Sequence, residues 1–184
     1  MAAALAALLL IGGVAYWGYS TNLERLPRKL IAQGVRAEAE LLRTGDWTFV
    51  AGNRVVAGQP IGPDVERLDA LNLAEASVIP VLFSADAPRR FIVDWASALA
   101  PIRDSARTTG GTLAEAVTRR LEAALPARAG QPACALRAAD RIGGFDGQLS
   151  LVDGYAANEP RERERWGARF REPAYASRLR QVCR

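Results

Sequence analysis

Hydrophobic and polar positions divide the chain into an apolar head and an amphipathic remainder. Met1 to Tyr19 carry no charged side chain, and the first charge is Glu24. A run of about 18 or more apolar residues has the length of a transmembrane helix. The pattern therefore predicts an anchor over 1–22, with Tyr16, Trp17 and Tyr19 as an aromatic belt at the membrane interface. A cleaved signal peptide is the competing reading. It needs a basic n-region and a small-x-small site, whereas this run has no Lys or Arg and ends on bulky rings. Gly12, Gly13 and the neighbouring alanines suit close packing on a second membrane helix.

Past the head, apolar positions at helical spacing predict a helix over Arg28–Leu42, stopped by Gly45. Trp47–Ala51 and Arg54–Ala57 are β-rich runs around Gly52-Asn53, a hairpin signal. Pro63 suits the first position of a helix, with Asp64 and Glu66 in its first turn and Val65, Leu68 and Leu71 on one face. Val78–Phe83 reads as a strand, Ser84–Arg90 as a connection, and Phe91–Trp95 as a strand or a helix start. Thr112 and Glu115 form a capping box ahead of Leu113, Val117, Leu121 and Leu125. Cys134–Ala138 and Gln148–Val152 read as strands, separated by Gly143, Gly144 and Gly147. Pro160 and Pro173 open two closing helices.

The resulting expectation is an α+β chain, with an N-terminal transmembrane helix followed by one or two small αββαβ-like modules. Its divisions are an anchor at 1–22, a module at 23–100, a linker at 101–111 and a second module at 112–184.

Composition narrows the chemistry. The chain has 24 basic and 20 acidic side chains and a net charge of +4, and Lys29 is its one lysine. An Arg- and Ala-rich bias of this kind fits a GC-rich bacterial genome. The arginines are interleaved with acids, so the unopposed basic patch of a nucleic-acid binder is missing and no nucleic-acid partner is expected. Histidine is absent. That excludes Ser-His-Asp and Cys-His catalysis and any His-ligated metal or haem.

Cys134 and Cys183 are too few for a four-ligand zinc site. They are either ordinary thiols or one disulfide closing a loop of about 50 residues, for about 3–4 kcal/mol outside a reducing compartment. Arg25, Arg28, Lys29, Arg36 and Arg43 after the head place the C-terminal part in the cytoplasm by the positive-inside rule. That orientation opposes a disulfide.

Asp46-Trp47, Asn53–Gly58, Pro63 and the helix from Val65 to Glu75 resemble a BON domain, the small αββαβ module of bacterial envelope proteins. The resemblance implies an envelope-associated, non-catalytic role with the domain in the periplasm of an inner-membrane, single-pass protein. The tail from Cys134 through Asp153, Asn158 and Arg169 echoes an outer-membrane-protein-A-like domain. It lacks that family's Asp/Arg pattern, so no binding residues carry over.

Candidate chemistry is sparse. Asp140, Asp146 and Asp153 near glycines suggest Asp-Gly turns before calcium ligands, because their spacing is not that of a calcium loop. Asp94 and Asp104 are either surface acids or a carboxylate pair for a histidine-free enzyme, and Ser97, Ser105 and Ser150 would lack a base. Glu159–Arg165 alternates in sign, either a solvated helix face with Trp166 and Phe170 packing inward or a docking face carrying Arg161, Arg165 and Trp166. No cofactor, metal or small-molecule substrate is expected. The expected partners are membrane lipid and a membrane protein. The function is an interaction module, with an accessory subunit of a larger membrane complex as the alternative.

Overall fold

A computed structural model describes residues 26–104, 111–125, 131–156 and 160–183. Residues 26–33 form helix α1, and the chain then turns at Gly34 into strand β1, Val35–Leu41. Arg28–Leu42 is therefore not one helix. The Ala and Glu residues of β1 favour helices, but they alternate, with Ala39 fully buried between exposed Glu38 and Glu40. Six residue pairs with β4, from Val35↔Phe83 to Glu40↔Val78, hold the segment extended. Tertiary pairing outweighs a propensity difference of a few tenths of a kcal/mol per residue.

The expected hairpin is present as β2, Trp47–Ala51, and β3, Arg54–Pro60, with Val50 opposite Val55. The positive φ of the turn falls on Gly52 (66°) and not on Asn53, as a type II′ turn requires. Helix α2, Asp64–Leu71, leads to β4, Val78–Ser84. The stretch read as a connection is a tight turn into a fifth strand, β5, Ala87–Val93. The strands close as a barrel in the order β1-β2-β3-β5-β4, every neighbouring pair antiparallel except β3 with β5. This is the Greek-key connectivity of OB-type barrels. Trp47, Phe49, Phe83 and Phe91 fill the interior, with Phe49 4.9 Å from Phe83 and edge-on to Phe91 at 5.8 Å.

A helical layer follows: α3 (Trp95–Asp104), α4 (Thr112–Ala124), α5 (Pro132–Ala156), α6 (Pro160–Arg171) and α7 (Pro173–Val182). The two strands expected within 134–152 are both part of α5. Ala135, Leu136, Ala138 and Ala139 are buried, and the same side resumes at Gln148, Leu151 and Val152, a helical spacing. Gly144 (φ 60°, ψ −150°) kinks α5 where a hairpin was expected. The capping box does not form either. Gly111 is the N-cap of α4, and Thr112 is already helical.

The expected αββαβ modules are thus replaced by a closed barrel and a helical layer. They share one core that runs from Ala39 and Phe49 through Leu99, Leu121 and Leu136 to Trp166 and Tyr175. Among the described residues no helix is long and apolar enough to cross a membrane. The expected N-terminal transmembrane helix therefore has no counterpart among the described elements. The longest described helix, α5, carries Arg137, Asp140, Arg141, Asp146 and Asp153. The head at 1–22, with Tyr16, Trp17 and Tyr19, lies outside the described residues, as does most of the expected linker, at 105–110.

Candidate functional site

Two hairpin tips meet at one end of the barrel. The β2–β3 turn brings Arg54 and Val55, and the β4–β5 turn brings Asp86, Arg89 and Arg90. The start of β1 brings Val35. Between them is a solvent-open cleft of about 1120 Å³. A register shift at Phe83/Ser84 bends the β4–β5 hairpin away from regular pairing. The bulge leaves Arg89 and Arg90 exposed, while Phe91 and Val93 turn into the barrel and Ile92, on the opposite face, is buried against Leu30, Ile61 and Leu82.

Arg54, Arg89 and Arg90 form no ion pair among the described residues, and Asp86 is the one acid in the lining. Val55 is 75% exposed and its cross-strand neighbour Val50 is 60% exposed. The cleft thus combines unneutralised cationic groups with exposed aliphatic surface. Sequence reading passed over it because Ser84–Arg90 looked like a connection. The overlooked signal is the short Ala85-Asp86 turn, followed by two arginines and the apolar run Phe91–Val93.

A second cluster is buried. Asp64, at the first position of α2, accepts hydrogen bonds from Val93 N (2.8 Å), Trp95 Nε1 (2.7 Å) and Arg67 Nη1 (3.0 Å). Arg67 also reaches Asp153 of α5, with Nε–Oδ1 at 2.6 Å and Nη2–Oδ2 at 2.8 Å. Burial pulls the Arg67 pKa down, but the hydrogen bonds and charges of Asp153 and Asp64 outweigh it and leave it raised. Both Asp64 oxygens are engaged. The cluster ties barrel to helices and leaves no free base or acid.

The other sequence candidates do not converge. Asp94 and Asp104 sit at opposite ends of α3, about 15 Å apart along its axis. Asp94 caps the helix through Ser97 N (3.2 Å) and Ser97 Oγ (2.8 Å), and it pairs with Arg36 at 3.2 Å. Arg103 holds the exposed Asp104 carboxyl below its usual range by a hydrogen bond. Ser150 is exposed, and Ser105 lies outside the described residues. Asp140, Asp146 and Asp153 are helical, and among the described residues no group of three or more acids or cysteines is placed to hold a metal ion.

Arg161 and Arg165 are exposed on α6, but Trp166 is 3% exposed and packs edge-on to Tyr175, with Arg169 over its ring. The expected docking face therefore lacks its aromatic. Cys134 and Cys183 are free thiols in hydrogen-bonding contact, the pair that the sequence left open. Arg137 Nη2 lies 3.3 Å from Cys134 Sγ and its Nη1 donates to the Arg103 carbonyl.

The chain matches no protein-family model, no curated protein and no solved structure.

Proposed function

We propose that the chain is a non-catalytic interaction domain that holds an acidic polypeptide segment in the cleft between the β2–β3 and β4–β5 hairpins. The observation that carries this reading is three arginines without acidic partners among the described residues, beside Val35 and Val55 in a cleft with a single acid. Partly desolvated Arg–carboxylate pairs contribute about 0.5–1 kcal/mol each, and apolar contact about 25 cal/mol per Å². The expected complex is moderate in affinity and weakened by salt. The cleft is larger than the roughly 300–1,000 Å³ usual for small ligands, and open, which favours a chain over a metabolite.

OB-type barrels also take oligonucleotides on the β2–β3 face. That use relies on rings for base stacking. Here the exposed positions on those strands are Val50, Arg54, Val55, Ala57 and Gln59, without an aromatic.

Fluorescence anisotropy with a dye-labelled, strand-length peptide of alternating Glu and Val tests the reading. Binding is expected for the wild type and an about tenfold or larger loss for R54E/R89E/R90E, with no binding of the Lys-for-Glu peptide. Equal affinity of the wild type and the triple variant would sink the proposal, and so would tighter binding of an oligothymidine strand.

A further inference from the structure

Among the described residues, the cleft is also the place where the barrel wall is incomplete. Strands β3 and β5 each run seven residues, but their parallel ladder consists of Gln59↔Arg90 and Pro60↔Phe91 alone. Below that closure the strands diverge, and Arg54–Ala57 and Ala87–Arg89 line opposite walls of the cleft. The other edge of β3 is fully used by β2, in five pairs from Ala51↔Arg54 to Trp47↔Gly58.

In an antiparallel hairpin with a two-residue turn, the pair flanking the turn is hydrogen-bonded and the next is not, in alternation. Arg54, Val56 and Gly58 therefore direct their amides to β2, and Val55 and Ala57 direct theirs into the seam. The facing wall cannot complete the ladder, because Pro88 has no N–H and the bulge at Phe83/Ser84 distorts the strand.

We propose that the acidic partner segment docks as an added β-strand along the free edge of β3, its main chain paired with Val55 and Ala57 and its carboxylates meeting Arg54, Arg89 and Arg90. This rests on the acidic-partner reading above and specifies how the partner is held. Unpaired strand edges invite strand addition, and charge on an edge decides which strand is accepted. A second copy of this chain would bring three more arginines to the same seam, so like charge disfavours self-pairing. An acidic strand satisfies both the edge amides and the cations. The period of two then places alternate side chains on opposite faces of the added strand, one row towards the arginines and one towards Val55.

The experiment compares the Glu/Val peptide with the same sequence N-methylated at alternate amides, one version for each edge of the strand. Charges and side chains are unchanged between them. Methylation of the edge facing β3 is expected to weaken binding about tenfold, the effect of losing two main-chain hydrogen bonds. Methylation of the other edge is expected to be neutral. Amide exchange by NMR should slow at Val55 and Ala57 when the parent peptide is added.

If both methylated peptides bind like the parent, strand addition is wrong while the cleft reading stands. A parent peptide that fails to bind overturns both. Slow exchange at Val55 and Ala57 in a peptide-free dimer assigns the seam to a second copy and overturns the proposal as well.

Discussion

Asp64 shows how one side chain can be misjudged from its local context. In the sequence it is an acid in the first turn of a helix, suited to the positive end of the helix dipole. In the fold it is 4% exposed and serves the end of β5, the indole of Trp95 and the guanidinium of Arg67 together. Its substitution to Ala would leave Arg67 with half its neutralisation and Trp95 Nε1 without its acceptor. Breaking a buried pair from one side costs about 3–5 kcal/mol. D64A should therefore lose about 3 kcal/mol or more in urea denaturation, and a loss below about 1 kcal/mol would show that the network is dispensable. The three cleft arginines went unnoticed for the complementary reason. An exposed Arg in a turn is ordinary until the fold sets it beside two others.

At the level of elements, the ends of α5 and α7 make the clearest case. Cys134 lies in the first turn of α5, and Cys183 is the C-cap of α7. Desolvation, and then the hydrogen bond that the Cys183 thiol donates to the Cys134 sulfur, push the Cys183 thiol up to about 12. Its protonated form is thus favoured by folding. That contribution is fully present below about pH 9 and is lost as pH rises towards about 12. Reduced protein should accordingly lose stability over this window, and C183A should lose less. Parallel curves for the two proteins would rule out the linkage. Oxidation by a small-molecule disulfide should join the two thiols intramolecularly and raise stability by about 3–4 kcal/mol, seen as a higher Tm without reductant. A mixed disulfide on each sulfur instead would show that the pair is not aligned for bonding.

Across the whole molecule, the barrel and the helical layer share a core, and the Arg67–Asp153 pair crosses between them. Arg120 of α4 also donates to the Ala70 carbonyl of α2. Parts joined in this way should unfold together. Far-UV circular dichroism and tryptophan fluorescence are expected to report one coincident transition. Two resolved transitions would divide the chain near residue 104, as the expected two-module plan did. A double-mutant cycle on Arg67 and Asp153 should give a coupling of about 1 kcal/mol or more.

The hairpin at 47–60, helix α2, the strand at 78–84 and the two proline-opened closing helices were legible because each is dictated locally. A two-residue turn, a Pro at a helix start and a short β-branched run need no distant partner. Lack of histidine, likewise, is a property of composition. What was decided elsewhere is β1, β5, the helical state of 132–156 and the cleft itself. Val35–Leu41 contains helix formers and is a strand because β4 and β2 pair with it from about 40 and 10 residues away. Cys134–Ala138 is short and apolar, a pattern that fits a buried strand or a buried helix equally until packing chooses. The cleft depends on how completely β3 closes on β5, and the geometry of a barrel seam is written in no single segment of the chain.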